Sequence, residues 1–328
     1  MDVKKENNLD CRYIFPDVIK AFLIYLVILG HVLGLYYKGN MELYWKNPIV
    51  TFIYSFHMPL FIAISAFFLG ISKGTSLSLF LKKKIRRLFS PILGGLVLCI
   101  FFDILFGIYP CNSRLFLLKI YNYLTIYWFF NCLLILSVII SVFMSLRRIY
   151  IIGLIITNVI LVAFYDYIPG IVIKSWQIIR LMPIFMLTYI IGVNQKKMKN
   201  VFLNYFWQLL LISSVFWMVL IFICGVDLIK YSCFTRILVG IFSSISMTCI
   251  FYWLYSKFSQ NVNLLLTRIG RNSLGIYLFH VPIFKSLPKI ENFFVIILLS
   301  LCILLVSSVL TDLCRKNKVG RILLGENK

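Results

Sequence analysis

Carboxylates and histidines are scarce in this chain: 11 Asp and Glu stand against 33 Lys and Arg, and histidine occurs three times in 328 residues. Charged residues make up 13% of the sequence and hydrophobic ones 61%, too little polar surface to cover a soluble globule. No stretch reads as a separate soluble domain, and no internal repeat relates the two halves. The first apolar run follows Arg12 and continues without a small-residue cleavage site, so no cleavable signal is expected. The nine cysteines lack metal-ligand spacing, and no metal is expected. Cys99, Cys132, Cys249 and Cys302 read as small apolar packing residues, whereas Cys111, Cys224 and Cys233 are candidates for an oxidising side.

What is present is a series of ten apolar runs, each about 17 to 25 residues long, the length of a membrane-spanning helix. The expected spans are 17–37, 48–71, 90–109, 123–145, 149–165, 178–194, 201–224, 233–255, 272–288 and 291–312. The expected fold is therefore an all-α polytopic bundle forming one domain over 1–328, with short tails about 1–16 and 313–328. With the N-terminus in the cytoplasm, 22 Lys and Arg fall inside and nine in the opposite loops, which places both termini on the cytoplasmic side. The same bias, with contacts to anionic lipid, accounts for the net charge of +22 without nucleic acid.

The histidines, His31, His57 and His280, all lie within apolar runs, in the strings Gly30-His31, Phe56-His57-Met58-Pro59 and Phe279-His280-Val281-Pro282. Ionisable residues at such depth are costly and usually functional. At about 1.5 Å per residue all three fall in one central slab, roughly 12 to 21 Å above the cytoplasmic boundary. On the first helix, Asp17 and Lys20 share a face with His31, because eleven residues complete about three turns. The stripe joins the cytoplasmic surface to mid-membrane. Asp17 and Lys20 are equally readable as an ion pair at a helix mouth.

A basic run, Lys82-Lys83-Lys84-Ile85-Arg86-Arg87, precedes Pro91 at the entry of the third span. Five cations in six residues attract phosphates, and arginine can grip them bidentately. A cytoplasmic loop of this orientation is basic in any case. Asp103, deep in the third span, is a functional candidate by its depth alone.

Together these strings resemble the acyltransferase 3 family of integral membrane acyltransferases. Asp17 through Gly30-His31 is similar to that family's first helix, with Lys20 where the family usually has Arg. Phe56-His57-Met58-Pro59 with Ser65-Ala66 looks like its second helix, where Ser-Gly is usual. Lys84-Ile85-Arg86-Arg87 resembles its basic motif, Tyr127-Trp128-Phe129 its aromatic signature, and Gly270-Arg271-Asn272-Ser273 through His280-Val281-Pro282 a later segment.

The resemblance implies a ten-helix bundle of a bacterial plasma membrane. It would move an acyl group, most often acetyl, from cytoplasmic acyl-CoA (acetyl-CoA) to a hydroxyl of an envelope polysaccharide or lipid-linked saccharide. On this reading His31 is the base, Lys20 makes a donor or oxyanion contact along the channel with Asp17 on the same catalytic face, and Lys84, Arg86 and Arg87 hold the coenzyme phosphates. His57 is assigned to bridging helices, and His280 either to the acceptor or to a core hydrogen bond. Trp128 and Tyr277 stack on substrate or pack. The alternative is a transporter or glycolipid flippase, against which the lack of a repeat argues.

Overall fold

Inside lipid the backbone has no hydrogen-bond partner but itself, so apolar runs of this length become helices. The computed structural model describes residues 14–38, 40–72, 77–105, 113–145, 148–165 and 175–326, and among them every regular element is helical. The α-helices are α1 (Ile14–Tyr36), α2 (Met41–Trp45), α3 (Pro48–Ile71), α4 (Leu77–Leu105), α5 (Ser113–Ile126), α6 (Trp128–Ser145) and α7 (Arg148–Ala163). They continue as α8 (Ser175–Val193), α9 (Gln195–Asn204), α10 (Phe206–Cys224), α11 (Cys233–Lys257), α12 (Gln260–Lys285), α13 (Phe293–Lys316) and α14 (Lys318–Leu323).

Seven of these, α1, α3, α4, α8, α10, α11 and α13, are long and apolar enough to cross a membrane. Two shorter apolar helices lie within α6 and α7. The periphery is apolar, with Phe222 at 89% and Phe294 at 76% exposure, a surface that suits lipid and not water. The chain is a multi-pass membrane protein.

Several expected boundaries shift. The third span begins at Leu77 rather than 90, so the basic run is helical and not a loop, because Lys, Arg and Leu favour helix and carry α4 out of the apolar layer. The ninth begins at Gln260 rather than 272. The runs 123–145 and 201–224 are each divided, at Tyr127 and at Tyr205. Cys302 lies on an exposed face rather than in the core, Cys233 is a buried free thiol and Cys224 an exposed one. Cys111 lies outside the described residues.

One close approach positions the centre of the molecule. α12 crosses α1 at Gly270, where a Cβ would stand 1.8 Å from the Asp17 carbonyl oxygen. Small residues let membrane helices meet backbone to backbone, and Gly270 does so here. We expect Gly270→Ala to lower the thermal midpoint of the detergent-solubilised protein, since forced overpacking costs about 1–3 kcal/mol. Gly34→Ala, with nothing within 4 Å of the new methyl, should leave it unchanged. Equal midpoints for both variants would show that α1 and α12 can separate at no cost.

Candidate functional site

The crossing at Gly270 brings the far halves of α1 and α12 side by side. His31 and His280 meet there with ring centroids 5.4 Å apart, and His31 stacks on Phe284 at 5.1 Å. His280 is fully buried, with Nδ1 3.2 Å from the Ile276 carbonyl oxygen and Nε2 without a hydrogen-bond partner among the described residues. His57, on α3, has Nδ1 2.7 Å from the Ile53 carbonyl oxygen and packs edge-on against Tyr54 at 4.7 Å. His31 interacts electrostatically with both other histidines, and Arg180 of α8 interacts with His57. The imidazoles thus share one region, while the hydrogen bond described for His57 stays within α3.

A lid of tyrosines steadies the turn that presents His31. The Tyr44 hydroxyl of α2 donates to the Gly30 carbonyl at 2.9 Å and shares a hydrogen bond with the Tyr54 hydroxyl at 3.0 Å. Tyr277 belongs to the packing beneath the site. Only 5% exposed, it lies against Phe130 at 4.8 Å and His280 at 5.2 Å. Trp128 is half-buried and meets Phe129 edge-on. Both aromatics make ring contacts within the bundle.

At the other end of α1, Asp17 is 1% exposed and accepts from Lys20 Nζ at 3.0 Å. Arg271 Nε stands 3.7 Å from its second oxygen. This ion group joins α1 to α12 where Gly270 lets them touch. Arg271 was legible only as a letter in a string; the scarcity of carboxylates, which makes a buried aspartate need a cation, is the signal that points to it. Lys20 also lies over the Phe68 ring at 4.9 Å.

The basic run joins this group. Lys84 is half-buried and interacts electrostatically with Arg87 and with Lys20, and Arg86 and Arg87 are exposed. The chain segment after α14 packs on the same stretch. Gly325 has φ +66°, in the left-handed region, and a Cβ there would stand 2.7 Å from the Arg87 Cα. Ser90 donates to the Ile322 carbonyl, and Arg315 holds Glu326 at 2.7 Å while also donating to Asn272.

An ion group at one end of α1 and His31 in its far half, packed on His280 of α12, mark a membrane-embedded helical bundle that holds ionisable groups between its helices. Residues 13–313 match the acyltransferase 3 family, described as an acyltransferase domain, and the chain belongs to that family. Two curated relatives share shorter segments. The nodulation protein NolL of Sinorhizobium fredii is 44% identical over 71 residues, which is 22% of this chain and 18% of that protein. NolL of Mesorhizobium japonicum is 47% identical over 62 residues, 19% of this chain and 16% of that one. The chain thus matches less than a fifth of the length of either. No solved structure matches.

Proposed function

We propose that this protein is a ten-span O-acetyltransferase of a bacterial plasma membrane, with both termini cytoplasmic. It moves an acetyl group from acetyl-CoA to a hydroxyl of an envelope polysaccharide or lipid-linked saccharide. The observation that carries this reading is the continuity of α1. Its mouth, Lys20, neighbours the phosphate-attracting Lys84, and its far half holds His31 against His280 and Phe284.

On this reading Lys84, Arg86 and Arg87 hold the donor's phosphates at the cytoplasmic mouth, and the nucleotide does not cross. The eleven residues from Lys20 to His31 span about 16 Å, the path along which a pantetheine arm reaches the centre. His31 takes the proton from the acceptor hydroxyl as its oxygen bonds to the thioester carbonyl carbon. The C–S bond breaks, and the departing thiolate receives a proton. A thioester is already activated, so the protein chiefly orients the two substrates and supplies the base.

Purified protein is expected to release thiol from acetyl-CoA, and failure to do so removes the acyl-transfer reading. Arg86→Ala combined with Arg87→Ala should weaken acetyl-CoA binding about tenfold or more, and added salt should weaken it in the parent. Calorimetry in detergent reads both. Equal affinities would reduce the run to a topology signal.

A further inference from the structure

The end of the bundle away from the basic run carries a second charged group that the reaction above does not use. Asp103, on α4, pairs with Lys119 of α5 at 2.8 Å and accepts on the same oxygen from the Tyr123 hydroxyl. The Asp103 side chain is 14% exposed and Tyr123 is 4% exposed. Lys285, at the end of α12, places its ammonium 4.2 Å from the centre of the Tyr123 ring. Between them lies a cavity of about 30 Å³ whose lining includes Cys99, Asp103, Tyr123, Pro282, Lys285 and Ser286.

Asp103 is occupied by Lys119 and Tyr123, whereas Lys285 makes no hydrogen bond or ion pair among the described residues. Asp103 and Lys119 are the charged groups near Lys285. The partly open cavity beside its ammonium has room for a small polar group, since about 10–15 Å³ of space so measured admits one water. An oxyanion substituent of a saccharide is a group of the charge that Lys285 attracts.

The cavity also stands close to the histidines. Pro282, in its lining, is two residues beyond His280, and Phe284, on which His31 stacks, directly precedes Lys285. His280 and Lys285 are separated by about 7.5 Å along the helix.

We propose that this cavity is an anion subsite for the acceptor. It takes an oxyanion carried by a saccharide, either the carboxylate of a uronic acid or a phosphate oxygen of a lipid-linked sugar. Lys285 binds it, and the Asp103, Lys119 and Tyr123 group holds the wall in place, so that a hydroxyl of the same sugar is turned toward His31. The inference rests on the acetyl-transfer reading and adds the chemical class of the acceptor.

The test titrates the full-length protein in detergent with glucuronate, glucose 1-phosphate and glucose, following binding by calorimetry, for the parent, Lys285→Met and Lys289→Met. At least one of the two anions should bind more tightly than glucose. That anion should lose about tenfold in Lys285→Met, with Lys289→Met at the parent value. Tighter binding of glucuronate assigns a carboxylated sugar, and of glucose 1-phosphate a phosphorylated one. Anions that bind no better than glucose, or that bind Lys285→Met as they bind the parent, overturn the proposal. Acetyl-CoA hydrolysis in the same preparations keeps the two readings apart. Elution of Lys285→Met at the parent position as a monodisperse peak on size exclusion shows that the variant is folded, and hydrolysis missing from the parent overturns acetyl transfer while leaving Lys285-dependent anion binding standing.

Discussion

His31→Ala is expected to reduce acetyl transfer by about 100- to 10,000-fold, the usual cost of removing a general base. The ring it deletes stacks on Phe284 and meets His280, so the variant also opens space between α1 and α12. His31→Gln, which keeps most of the volume and a polar end but cannot take up a proton, separates the two effects. Both variants should reach the membrane at parent levels and both should be inactive. Activity within a few-fold of the parent in His31→Gln would transfer the role of base to another group. The measurement is thiol release from acetyl-CoA in the presence of envelope glycan, with protein amount equalised by immunoblot.

Asp17→Ala is expected to cost the fold rather than the chemistry. A carboxylate this buried is expensive to remove, because Lys20, 17% exposed, loses its counter-ion beside a helix crossing, and breaking a buried pair typically costs about 3–5 kcal/mol. We expect most of the variant to be lost from monodisperse fractions on size exclusion in detergent. Asp17→Asn should be recovered in part, as it keeps an acceptor for Lys20. An Asp17→Ala protein that elutes like the parent but turns over no acetyl-CoA would move Asp17 from the scaffold into the reaction.

These variants mark how far the sequence could be read. The face shared by Asp17, Lys20 and His31 was legible because an eleven-residue spacing is a local property of one helix. The link from Asp17 to Arg271 was not, since it joins segments more than 250 residues apart through a glycine contact that no periodicity reports. The early starts of α4 and α12 were missed because hydropathy marks where the apolar layer begins, while helix propensity carries Lys, Arg and Gln well beyond it. Tyr44 and Tyr54 were passed over for a related reason. Aromatics abound in this chain, and only packing distinguishes the pair that steadies Gly30. Asp103 was visible as a charge at depth, but its partners Lys119 and Tyr123 arrive from α5.

The crossing of α1 and α12 at Gly270 also has a consequence in time. α1 is made well before α12, and this partner is not synthesised until the ribosome has passed residue 270. At about 5–20 residues per second that is an interval of tens of seconds. During it, Asp17 has Lys20, one turn away on its own helix, as a companion in the bilayer. His31 waits equally long for His280 and Phe284. The contact of His31 with α12 is therefore completed late, and a chain cut anywhere before Arg271 carries His31 without His280 and Phe284.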